Sequence, residues 1–335
     1  IISFIAFPYG FPLTPLIAPT ISLALALWMM DLLIGKAERQ QRQFVQGAFS
    51  RYVAPAVVDK LVENPDALNV KGAKQPTTFI FSDIAGFTTL SENLNSEKLS
   101  DVLNEYLDGA CKIVFKHGGT IDKFIGDAIM AVFNAPIMQV DHIERAVNCA
   151  LELDVYCEKF RMNKNKLGIP VGCTRIGVHT GIATVGNFGS QSRMDFTALG
   201  DTVNTAARTE SVNKYFGTRL AATQEVVSGC KDLTFLPIGD IVLKGKTVPV
   251  TLYNPVSKEF FGSDYSHRYL ESYEGLKKEN REVDIKDVDK TILEIKSAKD
   301  MMNLASEYSD ESLSKFHADR IRQGFITTRV IMKDK

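Results

Sequence analysis

Between Thr77 and Tyr253, short runs rich in β-branched and aromatic residues alternate with longer amphipathic runs. TTFIFSD, which ends in Asp83, has the composition of a strand. SEKLSDVLNEYLDGACKIVFKHGG has apolar residues at helical spacing before a Gly118–Gly119 stop. TIDKFIGDAIMAVF has strand composition on both sides of a Gly-Asp pair, which predicts a hairpin. This order predicts an α+β fold with one mixed sheet and helices packed on it.

Two aspartates stand where apolar strand runs end or turn. Asp83 closes the first strand run and is followed by the turn IAGFT, and Asp127 lies in the predicted hairpin turn. Mg²⁺ is typically bound by one or two carboxylates together with waters and substrate phosphates. The pair is therefore a candidate metal site, and Gly86 permits a phosphate to approach the backbone closely. On the residues alone, a helix-capping Asp and a hairpin Asp remain an equal alternative.

Four motifs, in this order, resemble the class III nucleotide cyclases: FSDIAGFT, DKFIGDAIMAVF, RIGVHTG and FTALGDTVNTAAR. The resemblance runs from about Thr77 to Tyr253. It implies a ferredoxin-like mixed sheet with flanking helices and conversion of ATP to 3′,5′-cyclic AMP and pyrophosphate. The preceding RYVAPAVVDKLVENPDALNVKG resembles the segment before the catalytic domain of bacterial membrane-bound adenylate cyclases, which often carry a CHASE2 sensor.

The resemblance also implies which residues bind metal and phosphate. Two Mg²⁺ or Mn²⁺ ions per site would be bound by the carboxylates of Asp83 and Asp127 and the carbonyl of Ile84. The backbone amides of the following turn would bind the substrate phosphates, with contacts from Gly86, Phe87 and Thr88.

Base recognition is implied at two further positions. Lys123 matches the lysine that recognises adenine, where guanylate cyclases usually carry Glu. Thr197 stands where many adenylate cyclases carry Asp, which marks a class IIIb-like subgroup resembling the bicarbonate-responsive cyclases. A hydroxyl can accept the adenine amino proton as a carboxylate does, but without charge. The resemblance therefore implies ATP as substrate and activation by bicarbonate.

The remaining implied site residues act on the ribose and the phosphates. Asn204 matches the ribose-orienting asparagine and Arg208 the transition-state arginine, and their i, i+4 spacing puts both on one helix face. Lys244 matches the triphosphate-binding lysine, with Lys246 as the second choice. The resemblance implies a homodimer with shared sites, in which one protomer supplies the two aspartates and its partner supplies the other side chains.

The N-terminal sequence has a different character, since residues 1–30 contain no Asp, Glu, Lys or Arg. Residues 13–34 are long enough for a transmembrane helix, which needs about 20 apolar residues. The basic residues that follow predict a cytoplasmic catalytic domain on a cell (inner) membrane. A buried core helix and a signal peptide are disfavoured by the length and by the missing basic n-region.

These observations predict four regions. Residues 1–35 form a membrane segment, comprising the end of one span and one full span, and residues 36–75 a helical linker. Residues 76–255 form the catalytic domain and residues 256–335 a charged, partly helical C-terminal tail. A net charge of −1 argues against nucleic acid as a partner. Two rival functions stay open: a guanylate cyclase, and a pseudo-cyclase that only binds nucleotide or a partner.

Overall fold

The computed structural model describes residues 19–30, 32–33, 72–190, 193–243 and 248–331, which belong to two units, Ile1–Glu63 and Asn64–Lys335. In the first unit the described residues are helical, and their large apolar side chains are exposed. No helix in these described ranges is both long and apolar enough to cross a membrane. The rest of the predicted span 13–34, and the predicted linker up to residue 71, lie outside the described residues.

The second unit is built on a nine-stranded mixed sheet of order β11-β7-β8-β6-β4-β1-β3-β2, with β5 paired to β4. In chain order the strands are β1 (Ala73–Ile84), β2 (Thr120–Ile125), β3 (Ala128–Phe133), β4 (Thr174–Ser190), β5 (Arg193–Leu199), β6 (Leu220–Thr223), β7 (Thr234–Val242), β8 (Val250–Val256), β9 (Arg281–Glu282), β10 (Phe325–Ile326) and β11 (Arg329–Ile331). β9 and β10 form a separate two-stranded sheet.

The helices of this unit are α1 (Phe87–Asn93), α2 (Ser96–Lys116), α3 (His142–Lys166), α4 (Asp201–Phe216), α5 (Gln224–Ser228), α6 (Lys258–Phe261), α7 (Asp264–Glu279), α8 (Val288–Glu294), α9 (Lys296–Glu307) and α10 (Ser312–Arg322). α2 begins where the Asn95 side chain accepts a hydrogen bond from the Lys98 amide, which satisfies a helix-terminal N–H. It ends before Gly118, whose φ of 76° suits glycine, so the predicted stop is confirmed.

Helices cover both faces of the central strand β1. Phe79 and Phe81 pack in one cluster with residues of β5 and α4, whereas Ile80 and Ile84 pack in another with residues of α2 and α3. A strand buried on both faces needs an almost continuous apolar run, which the sequence FIF supplies. The predicted α+β arrangement and the β2–β3 hairpin are confirmed.

β1 begins earlier than the sequence indicates. Residues 73–77 pair antiparallel with residues 181–185 of the long strand β4. The predicted strand starts at Thr77 because Pro76 suggests a loop, but pairing with β4 extends the strand through that proline. The predicted start of the catalytic domain at residue 76 therefore lies inside β1.

The residues after β8 pack against the same sheet, which the sequence analysis did not predict. Side chains of α7, α9 and α10 share a buried cluster with β7, and β11 adds to the sheet edge in parallel with β7. His317 is fully buried there, with Nε2 3.1 Å from the Ile238 carbonyl oxygen. Burial lowers the pKa of His317 to about 3, so this imidazole is neutral and acts as a packing group.

Candidate active site

The two predicted metal aspartates lie side by side. β1 and β3 run antiparallel with Ser82 opposite Ile129, so the end of β1 adjoins the β2–β3 turn. The Ile84 amide donates a 2.9 Å hydrogen bond to Oδ2 of Asp127. The register of the sheet therefore brings together two residues that are far apart in the sequence.

The surroundings of these carboxylates differ. Asp127 is only 8% exposed, and burial raises its pKa, with the charge of Asp83 adding to the effect and the Ile84 amide opposing it. The Asp83 side chain is 33% exposed and forms an ion pair with Arg175, its partner across β1 and β4. Two carboxylates close enough for their charges to interact form a site that a divalent cation would stabilise.

Arg175 connects Asp83 to helix α4. Its Nε lies 3.0 Å from Oε1 of Glu210, and both side chains are largely buried. Burial raises the pKa of Glu210 to about 7, although the nearby Arg175 charge acts against this. Neither residue was predicted from the sequence; the signal for Arg175 was its place at the start of RIGVHTG, one strand from Asp83.

The donor set and the space around it fit a hard divalent cation. Gly86 and Gly126 both have positive φ, and a Cβ on either would meet no atom within 4 Å. Within the described ranges, no group of three or more His, Cys, Asp or Glu residues could hold a metal. A cation here would depend on Asp83, Asp127, the Ile84 carbonyl and oxygens from outside the chain, which is a typical Mg²⁺ environment.

The turn predicted to bind phosphate has fewer available amides than the resemblance implies. The Ile84 amide is bonded to Asp127, and the Ala85 amide donates to the Cys173 carbonyl at 2.9 Å. Helix α1 follows Gly86, and the first amides of a helix have no intrahelical acceptor. The turn therefore offers a phosphate its amides from Gly86, Phe87 and Thr88.

The two residues predicted to recognise the base also lie together, joined by a residue that was not predicted from the sequence. The Thr197 hydroxyl donates to Oδ2 of Asp122 at 2.7 Å. Lys123 Nζ lies 3.3 Å from the other oxygen, Oδ1. Burial raises the pKa of Asp122, while the Thr197 hydrogen bond and the Lys123 charge act against it.

Asn204 and Arg208 lie on the outward face of α4. The helix buries the opposite face, which includes Thr205 and Thr209, so the predicted i, i+4 placement is confirmed. Asn204 is exposed and Arg208 half-buried, and neither side chain has a hydrogen bond or ion pair to any described residue. Both side chains are available to a ligand. Lys244 lies outside the described residues.

The described residues thus form three groups: the two aspartates, the pair Lys123–Thr197, and the pair Asn204–Arg208. No hydrogen bond or ion pair within the described part of the chain links one group to another.

Comparisons with known proteins find nucleotide cyclases among the similar sequences and structures. Over 209 residues, 62% of this chain, the sequence is 39% identical to Adenylate cyclase 1 of Rhizobium meliloti (strain 1021), of whose length it covers 31%. The crystal structure of the adenylyl cyclase CyaB from P. aeruginosa matches with a TM-score of 0.53 and 38% identity, covering 56% of this chain and 97% of that one. The guanylyl cyclase Cya2 matches with a TM-score of 0.52 and 32% identity, covering 57% and 98%.

The family comparison gives the same result over most of the sheet, from β1 almost to the end of β8. Residues 70–254 match the family described as adenylate and guanylate cyclase catalytic domain. The chain belongs to this family of nucleotide cyclase catalytic domains.

Proposed function

We propose that the protein is an adenylate cyclase, converting ATP to 3′,5′-cyclic AMP and pyrophosphate. Similar structures include both adenylyl and guanylyl cyclases, so the fold alone does not choose the base. The observation that carries the proposal is the Lys123–Thr197 pair, which offers an ammonium donor beside a hydroxyl acceptor. Adenine presents a ring-nitrogen acceptor and an amino donor at the same edge, which complements this pair.

The chain's own residues account for binding and charge stabilisation. Asp83, Asp127 and the Ile84 carbonyl would bind Mg²⁺ or Mn²⁺, two ions per site, and the amides from Gly86 to Thr88 would orient the phosphates. When bound, such ions favour deprotonation of an attacking hydroxyl and neutralise phosphate charge. The ribose 3′-hydroxyl loses its proton to solvent and its oxygen forms a bond to the α-phosphorus, while the bond from the α-phosphorus to the α,β-bridging oxygen breaks and pyrophosphate leaves.

The outward face of α4 supplies the remaining groups. Asn204 orients the ribose, which raises the effective concentration of the attacking oxygen. Arg208 stabilises the charge that develops on the α-phosphate. Lys244, outside the described residues, is assigned to the triphosphate through the family resemblance alone.

Replacing both residues assigned to base recognition, Lys123 and Thr197, should change the substrate preference. The variant Lys123→Glu with Thr197→Cys should lower the kcat/KM ratio of ATP to GTP by about 10²-fold, because unpaired polar groups then face adenine. Steady-state assays with ATP and with GTP, each with Mg²⁺ and Mn²⁺, measure this ratio. Lys112→Glu, on an exposed face of α2, is the matched control and should leave the ratio unchanged. An unaltered ratio in the double variant would remove these residues from base recognition.

We also propose a homodimer with two shared sites. In the described chain the aspartate pair makes no hydrogen bond or ion pair to the base-recognition pair or to Asn204 and Arg208. A second copy that places its Lys123, Thr197, Asn204 and Arg208 opposite the aspartates would complete each site.

Membrane anchoring is proposed from the sequence. Residues 1–30 carry no charged side chain, and basic residues follow. The proposed arrangement is a membrane-bound receptor with a CHASE2-type sensor upstream and a cytoplasmic catalytic domain. Alkaline carbonate extraction of cell membranes tests it: release of the full chain into the supernatant would argue against a span.

Bicarbonate activation is proposed from Thr197 and the subgroup that it resembles. Cyclic AMP production should rise when bicarbonate is titrated at constant pH, with chloride as the control anion. A flat titration would count against the assignment to this subgroup.

A further inference from the structure

Strand β2 carries an irregularity at Asp122. Ile121 pairs with Ala131 of β3, but Lys123 pairs with Met130, so Asp122 is an extra residue in the ladder. Neighbouring side chains of a regular strand point to opposite faces, and a β-bulge redirects one of them. Here the Asp122 carboxylate and the Lys123 ammonium approach to 3.3 Å although they are adjacent in sequence.

The Asp122 carboxylate is placed against the hydroxyl of Thr197 in a nearly dry environment. Its side chain is 2% exposed, whereas that of Lys123 is 41% exposed. Asp122 and Thr197 line a cavity of about 10 Å³, enough for about one water, whose other walls come from Thr120, Val132, Val185, Phe196 and Ala198. These surroundings keep the 2.7 Å hydrogen bond between Thr197 and Asp122 shielded from solvent.

This hydrogen bond determines what Thr197 can offer a ligand. A hydroxyl has one proton and two lone pairs, and an ionised carboxylate can only accept. Because the Thr197 proton is donated to Asp122, the hydroxyl can present only lone pairs elsewhere. A free threonine hydroxyl could instead rotate. It would then accept a hydrogen bond from a ligand amino group or donate one to a ligand carbonyl equally well.

We propose that Asp122 is a positioning residue that makes Thr197 a pure hydrogen-bond acceptor and thereby selects purines with a 6-amino group over those with a 6-carbonyl. This inference rests on the proposed function, in which Lys123 and Thr197 contact the base. Asp122 acts on the choice of base through Thr197, because its carboxylate accepts the hydroxyl proton and so fixes the direction of that hydroxyl. Discrimination against guanine then depends on a residue that need not touch the nucleotide.

The test is Asp122→Asn in the full chain, which keeps the shape of the side chain but lets its amide donate to Thr197. The hydroxyl could then donate to a 6-carbonyl. The expected result is a loss of about tenfold in the preference for 3′-deoxy-ATP over 3′-deoxy-GTP, the equivalent of one hydrogen bond. Isothermal titration measures both dissociation constants, since neither analogue has the 3′-hydroxyl required for cyclisation. The kcat/KM ratio of ATP to GTP should fall by a similar factor.

Two further variants separate selection from folding. In a Thr197→Val background, Asp122→Asn should cause no further loss of preference, because no hydroxyl remains to be oriented. Asp101→Asn, an exposed position on α2, is the matched control and should leave both dissociation constants unchanged.

The inference would be overturned if Asp122→Asn weakened the binding of both analogues equally, or if it left the ratio of their dissociation constants unchanged. Asp122 would then have a packing role. Failure of the proposed function would look different, because the wild-type chain would then produce no cyclic AMP from ATP. The ratio of the two analogue affinities still tests Asp122 in that case.

Discussion

Replacing either metal-site carboxylate by an amide, in Asp83→Asn or Asp127→Asn, is expected to lower cyclic AMP production by at least about 10²–10³-fold. Each change removes a negative charge from a site whose proposed role is to bind divalent cations. The neutral amide is a weak ligand for a hard cation, so the phosphate charge and the attacking hydroxyl would lose that stabilisation.

Asparagine is the informative substitution because of the contacts that each aspartate makes. Asp127 accepts the Ile84 amide in a buried position, and alanine there would leave that amide without a partner, at a cost of about 1–3 kcal/mol. An Asn side-chain oxygen can keep the bond. At Asp83, an amide oxygen can still accept from Arg175, whose second partner Glu210 is unchanged.

Activity and metal binding are measured on the same preparations. Titration with Mn²⁺ should show weaker binding in both variants, while the thermal unfolding midpoint stays close to that of the wild type. Asp101→Asn, which makes the same chemical change on an exposed helix face, should retain full activity and metal binding. Wild-type rates in a folded Asp83→Asn or Asp127→Asn preparation would refute the two-aspartate site.

The strands and helices of the sheet region could be predicted from local sequence patterns, but the proximity of Asp83 and Asp127 could not. Alternation of strand-like and helical runs was enough for the β2–β3 hairpin and for α2, because those patterns are local. The contact between the Ile84 amide and Asp127 depends on the register of β1 against β3, which no periodicity specifies. The motif resemblance supplied that pairing in advance.

Asp122 was missed for a similar physical reason. In a regular strand it would point away from Lys123, and only the extra residue in the β2 ladder brings the two together. A bulge leaves no clear mark in the hydrophobic pattern of so short a strand. Its one sequence signal was an acid next to the lysine assigned to base recognition.

The packing of the C-terminal residues could have been predicted in part. Tyr265, Tyr269 and Tyr273 recur every four residues along α7, and all three are buried. The surrounding charges made this segment look like a solvated tail. Aromatic residues at helical spacing were the stronger signal. Burying a large aromatic side chain contributes more to folding stability than solvating the charged side chains on the opposite face.

Activity should return when two inactive protomers are combined, one carrying Asp83→Asn and the other Arg208→Ala. Arg208→Ala alone should lower kcat by about 10²–10³-fold, as expected for one preorganised charge-stabilising group. Since Arg208 has no partner among the described residues, its removal leaves no buried group unpaired. Each homodimer of either variant then has two defective sites.

In a mixed dimer, one site carries both changes, and the other takes its aspartates from the Arg208→Ala protomer and its arginine from the Asp83→Asn protomer. That second site is intact. With random pairing, half the dimers are mixed and half their sites work, so about a quarter of wild-type activity should return under two-fold symmetry. Co-expression with two different tags and tandem purification isolates the mixed dimers, which should show about half of wild-type activity. Co-expressing Arg208→Ala with Asp83→Asn/Arg208→Ala is the control, because neither site of that pair has an arginine. Mixed dimers no more active than their parents would place each complete site within one chain.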